Sequence, residues 1–118
     1  IANNSIYNVS VEYVRRNGVE KVSAEVLDYL KECDILYLSF DVDSMDCDLV
    51  SYGTGTPVAN GITEQEASGL INHFLIDKRV GCFEVVEINP CLDNKQNKMA
   101  ETAFRILENA TSIIEKRG

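Results

Sequence analysis

Residues 34–46 read DILYLSFDVDSMD, a nearly unbroken apolar run of strand length that ends in three acidic residues within six positions. A continuous apolar strand, as opposed to an alternating one, marks burial on both faces, and strands of that kind belong to parallel sheets covered by helices. The segment therefore predicts a strand over residues 34–40 within an α/β fold. It also raises a question, because Asp41, Asp43 and Asp46 stand where the local pattern asks for apolar side chains.

The chain on either side fits the same fold class. Upstream, SVEYVRRNG (10–18) predicts a short helix with Ser10 as N-cap and Asn17-Gly18 as its stop. SAEVLDYLK (23–31) predicts a second helix, capped by Ser23, with Val26, Leu27 and Leu30 on one stripe. Downstream, residues 44–62 form a long glycine-containing loop without periodicity, and loops of that length in a small domain are usually functional. Thr63 and Glu66 are spaced as a capping box for a helix running to about Lys78. VGCFEVVEI (80–88) predicts a second strand, stopped by Asn89-Pro90 because proline has no amide to donate to a ladder. Residues 98–117 carry Ala103, Ile106, Leu107, Ala110, Ile113 and Ile114 at the spacing of one amphipathic helix face. The alternation of helices and strands is that of a parallel α/β sheet. Two strands do not make a stable sheet alone, so further strands lie either within residues 1–9 or outside the chain.

With 118 residues, 45% hydrophobic and 25% charged, the chain has the size and composition of one soluble globular domain. Its formal net charge of -8 argues against nucleic-acid and anionic-membrane partners and favours a cation. There is no apolar run long enough to span a bilayer and no secretory leader, which points to the cytoplasm. Cys33, Cys47, Cys82 and Cys91 lie far apart without zinc-ligand spacing and read as reduced structural thiols. The chain begins IANN, without Met, as though cut from something longer.

Residues two apart in a strand share a face with ~6.5–7 Å between their Cα atoms, which would set Asp41 and Asp43 side by side. The carboxyl end of a parallel strand is where open α/β sheets bind ligands. Two carboxylates so placed repel, and one must take up a proton unless a cation lies between them. All-oxygen ligation suits Mg, Mn or Ca better than Zn or Cu. The plainer alternative is a solvated acidic turn, since Asp and Ser are common in turns for local reasons, and Asp46 fits a role in holding that turn. Glu84 and Glu87 are three apart in the second strand and face opposite ways. Either one beside the aspartates could receive a cationic substrate group or serve as an acid or base. The alternative there is an edge charge that prevents aggregation.

Taken together, SFDVDSMD (39–46), GTGTPVANGIT (53–63) and EVVEINPCLD (84–93) closely resemble the carboxyl-terminal signature of the ureohydrolases, the family of arginase, agmatinase and formimidoylglutamase. The resemblance implies a three-layer α/β/α sandwich around a parallel sheet, with residues 1–118 as the carboxyl-terminal part of a single domain. It implies two Mn2+ ions per active site and a small amidine or guanidine substrate whose C–N bond is hydrolysed. By position, Asp41 resembles the carboxylate shared by both metals, Asp43 the ligand of one, and Asp46 a structural aspartate. Glu87 resembles the glutamate that binds the guanidinium or amidine, and Thr56 a residue lining the pocket near it.

The sequence also departs from the family pattern. Cys47 stands where Pro is usual, the loop to GTGTP is one residue longer, and Asn60-Gly61 replaces Gly-Gly. These differences favour a formimidoylglutamate-like or otherwise unusual substrate. The amino-terminal GGxH and DxHxD motifs that carry the family's other ligands do not occur, and the sole histidine, His73, falls within a helix pattern. The expectation is a ureohydrolase fragment that is inactive alone and pairs with another copy through its bare sheet edge, giving a homo-oligomer. Two readings from other classes remain: a non-catalytic α/β module that binds a single divalent cation at the acidic strand end, and a structural interaction domain.

Overall fold

The computed structural model describes residues 6–45, 61–88 and 98–117. Helix α1 (Val11–Asn17) begins where Ser10 accepts the Tyr13 amide at 3.1 Å. It stops at Gly18, whose φ of 89° is open to glycine but strained for other residues. The same glycine starts α2 (Val19–Tyr29). The expected cap at Ser23 is therefore corrected. Ser23 lies buried inside α2, and its hydroxyl donates back to the Val19 carbonyl at 2.6 Å. A serine can satisfy its hydroxyl that way without opening a helix.

Strand β1 (Leu36–Asp41) passes into a single 3-10 turn (Val42–Ser44). After residues 46–60, α3 (Glu64–Ile76) opens on the expected capping box, Thr63 Oγ1 accepting the Glu66 amide at 3.1 Å and Glu66 Oε1 accepting the Thr63 amide at 2.9 Å. Strand β2 (Val80–Val86) runs parallel to β1, with Leu38 opposite Phe83, Phe40 opposite Val85 and Asp41 opposite Val86. The register slips once, between Leu36 and Tyr37, so that Gly81 is passed over in the pairing. Helix α4 (Lys98–Lys116) completes the order.

Helices α3 and α4 pack on one face of the sheet. Phe40, Val42, Met45, Ile71, Leu75 and Ile106 form the centre of the core, and Leu36, Leu38, Phe83 and Val85 close it from the sheet side. Helix α2 lies against α3 so closely that a Cβ at Gly69 would stand 3.0 Å from a Val19 methyl. Among the described residues no element covers the other sheet face, which corrects the expectation of two-sided burial. Burial alternates along β1, and Tyr37 is 63% exposed. Of the expected apolar face of α4, Ala103, Ile106 and Ala110 are buried, whereas Leu107 and Ile114 are exposed. Among the described residues the sheet has two strands, and residues 6–10 add none.

Candidate active site at the carboxyl edge of the sheet

Asp41 is the last residue of β1, and its carboxylate turns back to accept the Asp43 amide at 2.8 Å, capping the 3-10 turn. The Ser44 hydroxyl donates to the Asp41 carbonyl at 2.7 Å. Between the two aspartates, Val42 is fully buried in the core. The turn is thus held from below by a hydrophobic anchor and from above by the aspartate's own hydrogen bond. The extended geometry expected for residues 41–43 is not found, because the chain has already left the strand. Both residues nevertheless line one open cleft of about 720 Å3, walled by Val14, Val22 and Phe74 from the helical side and by Ile62.

Glu87 follows directly on Val86, the register partner of Asp41, and so lies at the same sheet edge. It is exposed, and it has φ 70°, a left-handed conformation that costs a non-glycine residue of order 1–3 kcal/mol and concentrates at functional sites. This turn ends β2 at Val86, before the Asn89-Pro90 stop that the sequence suggested. Glu87 is not among the residues that line the cleft of the aspartates. Glu84 is engaged elsewhere, accepting the Ser39 hydroxyl at 2.8 Å on the bare face. The Tyr37 phenol also bonds to Glu84, which pushes the phenol up to about 12 and holds the carboxylate below its usual range. Of the two glutamates, Glu87 is therefore the one left at the ligand edge.

His73 sits half-buried in α3 with Nδ1 hydrogen-bonded to the Gly69 carbonyl of its own helix at 2.8 Å. Thr56, Asp46, Cys47 and Cys91 lie outside the described residues. Asp41 and Asp43 supply hard, anionic oxygen donors of the kind Mg and Mn favour. Among the described residues no group of three or more His, Cys, Asp or Glu side chains converges for a metal, so the pair fits one side of a metal site.

Sequence reasoning did not single out Arg15, Arg79 and Arg117. Arg79 clasps the Asp77 carboxylate and donates to the carbonyls of Leu30 and Cys33, and Arg117 donates to those of Leu75, Asp77 and Val80. Their acceptors are mostly main-chain oxygens, which leave no pattern in a sequence.

The sequence pattern of the arginase family matches residues 1–112. The chain belongs to the arginase family. An arginase from Bacillus subtilis is 43% identical over 96 residues, which span 80% of this chain and 31% of that protein. A formimidoylglutamase from Psychrobacter cryohalolentis is 29% identical over 97 residues, spanning 82% and 27%. Agmatinases are among the relatives as well. The crystal structure of Helicobacter pylori arginase superposes with a TM-score of 0.88 at 31% identity, covering 97% of this chain and 37% of that one. The α/β architecture is therefore part of an arginase fold, and the chain spans about a third of the length of these arginase-family proteins. No helix among the described residues is long and apolar enough to cross a membrane.

Proposed function

We propose that this chain is the carboxyl-terminal part of a ureohydrolase domain, and that the longer protein hydrolyses a C–N bond of a small guanidine or amidine. The observation that carries the reading is the meeting of Asp41 and Asp43 in one cleft at the carboxyl end of β1, with Glu87 turned out at the matching end of β2. In this reading Asp41 and Asp43 are the residues of this chain that would hold manganese. Manganese bound there would supply an acidified water and a Lewis acid for the charge that builds on the substrate.

Glu87 orients the cationic end of the substrate, since a carboxylate takes a guanidinium through paired, charge-assisted hydrogen bonds. Thr56 lines the pocket beside it. The higher identity to an arginase than to a formimidoylglutamase supports a guanidinium substrate over a formimidoyl one, against the preference drawn from the altered loop. Two carboxylates cannot hold two metals in place, so the remaining ligands come from elsewhere in the longer protein and this chain alone is inactive. Exposed free thiols at Cys33 and Cys82 suit the reducing cytoplasm.

The test is the full-length protein with manganese, assayed on arginine, agmatine and formimidoylglutamate for urea or formamide release, beside its D41N variant. Activity that D41N abolishes supports the reading. A full-length protein that binds one divalent ion and hydrolyses none of the three returns the site to the non-catalytic cation module.

A further inference from the structure

The turn that carries the two aspartates is braced from behind. The Ile62 amide donates to the Ser44 carbonyl at 2.8 Å, and Met45 and Ile62 form a parallel bridge with Met45 buried. Met45 and Ile62, which flank residues 46–60 in the sequence, are thereby paired next to the turn of residues 41–44. One residue before Ile62, the carbonyl of buried Gly61 accepts a 2.7 Å hydrogen bond from Arg15 Nη2. The same guanidinium grips Glu66, Nε to Oε2 at 3.0 Å and Nη2 to Oε1 at 3.2 Å, while Glu66 Oε1 closes the capping box. An unbroken series of short contacts therefore runs from α1 through Arg15, Gly61, Ile62 and Ser44 to Asp41.

We infer that Arg15 is a positioning residue for the acidic site, fixing through the Gly61 carbonyl the bridge that braces the turn of Asp41 and Asp43. The role rests on the metal-binding reading of those aspartates. Arg15 touches neither carboxylate; it acts on their backbone. A planar guanidinium suits this place because it meets a carboxylate with two donors and still reaches a carbonyl, which a lysine ammonium cannot do in one geometry. Glu66 holds another part of the same guanidinium, and neutralising it removes the ion pair without removing the Gly61 acceptor.

Two variants of the full-length protein separate this role from simple loss of an ion pair. R15A removes both the Gly61 and the Glu66 contacts. E66Q removes the charge and keeps the capping box, since glutamine fills that position as well as glutamate. R15A is expected to weaken manganese binding, read by calorimetry well below the melting temperature, by about tenfold, the scale seen when support behind a metal ligand is removed. E66Q should stay within about twofold of wild type on that same scale. Amide hydrogen exchange at Ile62 should quicken in R15A and hold in E66Q, with or without metal. Equal manganese affinity in all three proteins, or equal weakening in both variants, overturns the positioning role. A wild-type protein that binds no manganese overturns the functional reading, and the Ile62 exchange rates then decide alone whether Arg15 braces the turn.

Discussion

Asp41 has two duties that a pair of substitutions can pull apart. Its Oδ1 accepts the Asp43 amide at 2.8 Å, which is a cap, and its charge faces the cleft with Asp43, which is the proposed metal contact. Asparagine keeps an oxygen at the capping position and discards the charge; alanine discards both. Loss of a capping oxygen costs about 1 kcal/mol, whereas Asn and Asp cap almost equally. Without metal, D41N should therefore match wild type in urea unfolding or exceed it, because repulsion with Asp43 is relieved, while D41A should fall by about 1 kcal/mol. With manganese at a hundred times its dissociation constant, wild type should gain about 2.7 kcal/mol. Neither variant should recover most of that gain. The measurement is a set of urea midpoints on the full-length protein, in chelator and in manganese. If D41N keeps the whole manganese gain, Asp41 is no ligand. If D41N loses as much as D41A in chelator, the cap depends on charge and the division of labour is wrong.

Arg117 reaches three main-chain carbonyls at 2.7–2.8 Å and ties the end of α4 to the turn between α3 and β2. R117A should lower stability by roughly 2–4 kcal/mol, because those oxygens lose a charged donor in a half-buried place; chemical denaturation with an unchanged m-value would show it. Asp77 is held below the usual carboxylate range, first by the Arg79 side chain and then by the Arg79 amide. A depressed folded-state value means stability that is fully present above the unfolded value near 3.8 and is lost as pH falls through the lower folded value. D77N should flatten that acid limb in a stability profile between about pH 5 and pH 2, and an unchanged limb would exclude the Asp77–Arg79 pair as its source. On the bare sheet face, the Tyr37 phenol should ionise at about 12 in ultraviolet titration, and E84Q should bring it back toward the ordinary tyrosine value of 10.0. A titration unmoved by E84Q would show that Glu84 is not the cause.

Local chemistry was readable where a side chain can do only one thing. Ser10 and Thr63 cap as their spacing says, because each lies directly before an amphipathic run and its side chain accepts an amide of the first turn. Ser23 shows the opposite case: its hydroxyl returns to Val19, and the true helix start was set by Gly18, which serves as the stop of one helix and the start of the next. The aspartate pair was singled out by its spacing along an expected extended strand, whereas a buried Val42 and a 3-10 turn set its geometry. Glu87 was identified by its motif, whereas its left-handed backbone has no signature in a residue that is not glycine. The arginine clamps were invisible because hydrogen bonds to carbonyls depend on where the backbone comes to lie.

The failed expectation of two-sided burial for β1 carries information of its own. An apolar run reports the environment for which its side chains are suited, and Ile35, 77% exposed, and Tyr37 are not suited to water. A helical layer over this face would desolvate Glu84 as well, and a buried carboxylate without partners is costly. Glu84 already has two: the Ser39 hydroxyl and the Tyr37 phenol, both from the neighbouring strand. That polar cluster solves in advance a problem that arises only when the face is covered. A chain spanning about a third of its arginase-family relatives, with one sheet face packed and the other both apolar and internally hydrogen-bonded, therefore has the physical character of one side of a sandwich. The acidic pair follows the same logic under the proposed function: Asp41 and Asp43 would form one part of a larger donor set, on an edge where a covering layer would bring the rest.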